Sequence, residues 1–194
     1  MKKRLLIVGA AIIIGFGAYL LITLVLPEPY IPQEFSEARL KGAELATKIV
    51  DLANNSLESI STIAKYDREG NRPEALTLIS KEVLKNRTIQ EEAIRLSSQL
   101  ERMARSLQEI KPNRAKILAT EAVSSEIALV SRLLSYNDYL LQLFKTLEAK
   151  FQNPSASSNG RVQELINKIN EEARAINSFN RKFNQSLAEF DKMF

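Results

Sequence analysis

Carboxylates, amines and hydroxyls are the side chains left for chemistry here, because the 194-residue chain contains neither histidine nor cysteine. That removes Ser-His-Asp and Cys-His nucleophiles, thiolate and imidazole metal ligands, and the Glu-x-x-His di-iron sites that helical bundles often carry. A carboxylate-only metal site or a Ser–Lys pair stays open. Asp67, Glu69 and Asn71 alternate oxygen ligands, but the glycine of a calcium loop would fall at Arg72 and its final acid at Leu78, so they read as a polar turn. Glu91–Glu92 and Glu171–Glu172 are helix neighbours that point in different directions and suit shared acid–base work poorly. The expectation is a protein that is not an enzyme and holds no metal or cofactor.

Two groupings suit binding better. Arg102, Arg105, Lys111, Arg114 and Lys116 form a basic cluster opposed by Glu109 alone. Arg105 and Lys111 fit the end of a helix, whereas Arg114 and Lys116 sit unfavourably at the positive start of the next. Arg105, Lys111, Arg114 and Lys116 are therefore candidates for anionic lipid headgroups, with a merely solvated turn as the alternative. Phe179, Phe183, Phe190 and Phe194 are four of the eight phenylalanines. On a helix they fall within about 60° of one another. They form either one wall of a core or a face for a partner.

These groups need elements to hold them, and the first element is an address. Leu5 to Leu26 is an apolar run with Thr23 as its one clearly polar side chain. It exceeds the ~20 residues that span a bilayer core. Lys2, Lys3 and Arg4 precede it, and the next base is Arg39, beyond Glu28, Glu34 and Glu37. The positive-inside rule puts residues 1–4 in the cytoplasm, 5–26 across the cell membrane as a signal anchor, and the remainder outside. A cleaved signal peptide is the rival reading, but cleavage after Gly17 or Ala18 would leave the apolar stretch from Tyr19 as the mature end. Ala11, Gly15 and Ala18 have small-residue spacing that admits a homodimer through the anchor, although such composition is ordinary in membrane helices.

Three of the net +4 charges belong to Lys2, Lys3 and Arg4, ahead of any acid, so the exterior part is close to neutral. It lacks the basic excess of a nucleic-acid-binding domain, and no nucleic acid partner is expected. Pro27, Pro29 and Pro32 around Tyr30 make residues 27–32 a stiff juxtamembrane spacer.

Residues 33–194 then show helical periodicity throughout. The spacing predicts helices over about 33–67, 72–110, 113–151 and 160–194, separated by Gly70–Asn71, by Pro112 and by the Ser-rich 152–160 segment. Asn71 with Glu74, and Asn113, are expected N-caps. In the second helix the seam Ile89, Ala93, Leu96, Leu100, Met103 runs backward onto Asn86 and Glu82, while the earlier half wants Leu76, Ile79 and Val83. That phase conflict predicts a kink or break near 86–88, recapped by Thr88 and Glu91. The third helix carries two apolar stripes, one through Ala122, Leu129 and Leu133, the other through Val123, Ile127 and Val130, and should be the most buried.

Four matched helices with short connections predict an all-α fold: the transmembrane helix, then an antiparallel up-down-up-down four-helix bundle with coiled-coil-like seams. Its expected role is a structural scaffold or interaction module in the cell envelope, in contact with the lipid bilayer and a protein partner. The alternative is an extracytoplasmic ligand-binding or sensory module working through a partner membrane protein.

Overall fold

The computed structural model describes residues 29–153 and 159–194. They form four long helices, α1 (Gln33–Glu69), α2 (Arg72–Ser106), α3 (Asn113–Gln152) and α4 (Asn159–Asp191), with a 3₁₀ turn at Leu107–Glu109. The expected anchor, with Lys2, Lys3, Arg4 and the Ala11–Ala18 spacing, lies outside the described residues. Among those that are described, no helix is long and apolar enough to cross a membrane.

Successive helices run antiparallel. Lys48 of α1 meets Glu92 of α2, Arg132 of α3 meets Glu172 of α4, and Arg39 near the start of α1 meets Asp191 at the end of α4. Two apolar clusters result. The proximal one joins the start of α1, the end of α2, the start of α3 and the end of α4, through residues such as Phe35, Met103, Ala119 and Phe190. The distal one takes the opposite ends, including Ile63, Ile79, Phe144 and Leu165. Each large apolar side chain so buried contributes about 1.5–3 kcal/mol.

Local chemistry explains the distal turn. Gly70 adopts φ 72°, ψ 12° after α1, and the amides of Gly70 and Asn71 donate to the carbonyls of Asp67 and Tyr66. Glycine takes this left-handed C-terminal position without a Cβ clash. Pro73 follows in the first turn of α2, where its missing N–H costs no helical bond, but Asn71 makes no side-chain cap.

The break expected at 86–88 is absent: α2 is one helix from Arg72 to Ser106. It keeps the seam's phase because Glu82 and Asn86 are themselves buried, each with polar partners, so no shift to Val83 is needed. Thr88 donates to the Leu84 carbonyl within the helix instead of starting a new one. The second helix also ends earlier than expected. After the 3₁₀ turn, Ile110 is extended at ψ 133° and buried, and Lys111 is joined by a cis peptide to Pro112, which stands before α3 where Asn113 was expected to cap. In α3, Val123 and Val130 are buried but Ile127 is half exposed, so the second stripe is interrupted.

Candidate functional site

The basic turn closes the proximal end of the bundle, and the residues that lead into α1 are fastened to it. The Tyr30 amide donates to the Lys111 carbonyl and the Lys111 amide to the Tyr30 carbonyl, both at 3.1 Å. Ile31 then packs on the proximal core, and Pro32 is buried at the start of α1.

The bases at this end have different partners. Arg105 pairs with Glu101 one turn back, while Arg102 reaches across to Glu34 at 3.3 Å and Glu37 at 3.8 Å. Lys111 and Arg114 are exposed and Lys116 half-buried, and none of the three has an ion-pair partner among the described residues. Three cations therefore remain available where α3 begins, with exposed Ile117 beside them.

The phenylalanine stripe is divided by the fold. Phe190 is fully buried, its ring 5.7 Å from Phe35 and 5.1 Å from Phe194. Phe179 and Phe183 are half-buried, with the Lys182 ammonium 5.6 Å from the Phe179 ring. Phe194 is 49% exposed. Phe190 is thus core, and Phe194 is an apolar rim at the proximal end.

A second feature lies halfway up the bundle. α1 and α4 are locked together below by Phe35–Phe190 and by the two Arg39–Asp191 hydrogen bonds of 2.6 and 2.7 Å. Above that lock they are separated by a cleft of about 390 Å³. Ala46 and Ala53 of α1 and Ala173 of α4 line it, and side chains this small leave the space unfilled. The floor comes from α3, as Glu126, Leu129, Leu133 and Tyr136.

Glu126 is only 7% exposed and has no hydrogen-bond or ion-pair partner among the described residues. Burial alone pushes its carboxyl up to about 7 from the ordinary 4.5, because a charged carboxylate there loses water and gains no counter-charge. Burial also raises the Tyr136 phenol. Glu92 shows the opposite case. It is 3% exposed, but the Lys48 ammonium donates to it at 2.6 Å, and this bond with Arg95 nearby holds it below the usual range against the opposing effect of burial.

A polar layer separates the two apolar clusters. Asn86 donates to the Asn137 backbone carbonyl at 3.1 Å, and Asn137 returns the bond to the Asn86 carbonyl at 3.0 Å. Ser59 and Lys85 donate to the buried Glu82 one turn away. Such a layer satisfies few alternative alignments, so it sets the α2–α3 register. Among the described residues, no three carboxylates converge as a metal site.

Neither Glu126 nor Asn137 belongs to a motif or charge cluster in the sequence. The signal was present: Glu126 stands four residues from both Ala122 and Val130, and Asn137 four after Leu133, in register with the apolar stripes. A polar residue in a core register marks a site that needs an explanation. Comparison with protein-family models, with curated proteins and with solved structures finds no match.

Proposed function

We propose that this protein is a single-pass, membrane-anchored helical bundle that serves as a structural scaffold or interaction module in the cell envelope. Leu5–Leu26 supplies the span, and Lys2, Lys3 and Arg4 hold its amino-terminal side in the cytoplasm. The Tyr30–Lys111 pairing carries the reading. Tyr30 is four residues past Leu26, a stretch that extends no further than ~14 Å. A bilayer holding the apolar run therefore faces the end of the bundle that bears Lys111, Arg114 and Lys116. Each base near an anionic surface contributes about 1 kcal/mol, screened over ~8 Å at physiological salt. Phe194 and Ile117 at the same end offer apolar surface to a protein partner.

Alkaline extraction of native membranes, followed by photocrosslinking from Ile117, Phe194 and the remote exposed Leu84, tests this reading. The chain should stay with the membrane, and a discrete protein adduct should form from Ile117 and Phe194 but not from Leu84. Release by alkali would refute the anchor, and adducts independent of position would refute the docking end.

A second reading, an extracytoplasmic ligand-binding module acting through a partner membrane protein, is favoured by the α1–α4 cleft with its unpaired acid. It concerns a different part of the bundle and does not depend on the proximal end.

A further inference from the structure

The α1–α4 cleft combines an apolar body with polar groups at its two ends. At about 390 Å³ it falls within the range of small-molecule sites. Ten residues separate Glu126 from Tyr136 on α3, a distance of ~15 Å along the helix, with Leu129 and Leu133 between them. The Glu121–Ser186 and Arg132–Glu172 pairs set the α3–α4 register and bring Glu126 level with Asn177 and Asn180.

Charge selects the occupant. Among the described residues, α1 presents Ala46, Ile49, Val50 and Ala53 to the cleft, and α2 Leu96. α4 adds two amides but no charge, so Glu126 and the Tyr136 phenol are the titratable groups among the described residues that face it. An acidic ligand would place a second anion against Glu126. A neutral one would leave the carboxylate, once it ionises above about 7, without a counter-charge in a buried setting, which is costly. A cationic head satisfies it, and the leucines accommodate an apolar tail.

We propose that the cleft binds a small amphipathic amine, its ammonium on Glu126 and its apolar body along Leu129 and Leu133 toward Tyr136. The proposal rests on the ligand-binding reading above and names the chemical class. Because the Glu126 carboxyl holds its proton up to about 7, amine binding below that pH must expel it, so affinity rises with pH across this range.

The test uses the full chain in nanodiscs of zwitterionic lipid, with empty nanodiscs subtracted, and calorimetry with three matched probes: 4-phenylbutylamine, 4-phenylbutanol and 4-phenylbutyrate. The amine should bind about tenfold tighter than the alcohol, and the carboxylate weakest. Amine affinity should rise about tenfold from pH 6 to pH 8. E126Q should bring the amine to the alcohol's affinity and remove the pH dependence. Equal binding of amine and alcohol to the parent, or a preference that survives E126Q, would overturn the amine assignment while leaving a ligand cleft. Failure of all three probes to bind would overturn both the assignment and the ligand-binding reading. The comparison of probes on the parent chain stands even if E126Q does not fold.

Discussion

Replacing Glu126 by glutamine should make the bundle more stable at pH 8 and leave it nearly unchanged at pH 4.5. In the folded chain the carboxyl keeps its proton up to about 7, whereas an ordinary glutamate releases it near 4.5. Between those values the native state holds more protons than the unfolded one, so this group's contribution falls as pH rises. The contribution is fully present below about 4.5 and lost above about 7. At about 1.4 kcal/mol per pH unit, ionised Glu126 costs on the order of 3 kcal/mol. The cleft beside Glu126 admits water, which screens the charge and makes that figure an upper one. Glutamine matches the protonated acid in shape and never ionises, so the E126Q advantage at pH 8 should approach ~3 kcal/mol, or roughly 6–12 °C in midpoint. Urea unfolding followed by circular dichroism, on parent and variant in the same micelles from pH 4.5 to 8.5, measures the difference directly. Taking the difference cancels groups such as Glu92 and Glu164, which are held low by their basic neighbours and act with the opposite sign. A gap between parent and variant that does not widen with pH, or a variant less stable at pH 8, would show that ionised Glu126 has a partner and refute the reasoning.

Other substitutions separate core from surface. Phe190→Ala should destabilise the bundle by about 3–5 kcal/mol in the same unfolding assay, because it removes a fully buried ring against Phe35. Phe194→Ala, at a half-exposed rim, should change stability by less than about 1 kcal/mol while reducing partner crosslinking at the proximal end. Asn137→Ala leaves the Asn86 carbonyl without its side-chain donor and should cost about 1–3 kcal/mol, with hydrogen exchange rising on the facing turns of α2 and α3. The triple change of Lys111, Arg114 and Lys116 to glutamine should leave unfolding unaltered within about 0.5 kcal/mol. It should also abolish any protection of the proximal turn that anionic over zwitterionic nanodiscs confer on the parent, as read by hydrogen exchange.

Much of the architecture was legible because helical periodicity is a local property. The seams through Phe35, Ile49 and Ile63, through Ile89 to Met103, and through Leu165 to Phe190 can be read at three- and four-residue steps, and all of them carry buried residues. The turn at Gly70 and the interruption at Pro112 follow from backbone constraints on those residues. The candidate sites were less legible, since each depends on what stands opposite. The conflict at Asn86 reads as a break because buried polar residues are costly alone, and Ser59, Lys85 and the Asn137 backbone carbonyl, brought up from other turns and helices, offset part of that cost, while Glu82 Oε2 and Asn86 Oδ1 have no partner among the described residues. Arg105 is the exception, because Glu101 one turn earlier engages it as their spacing of four allows.

From the sequence by itself come the four helices, the loss of histidine and cysteine chemistry, and the expectation of an anchored chain, because side-chain inventory and periodicity need no knowledge of neighbours. Tertiary structure decided that Phe190 is core while Phe194 is rim, that Tyr30 is tied to Lys111, and that Glu126 faces a cleft instead of a counter-charge. Those outcomes turn on the level at which helices meet and on the size of the side chains across the gap. Three alanines on α1 and α4, unremarkable along their own helices, leave open the cleft that Glu126 lines.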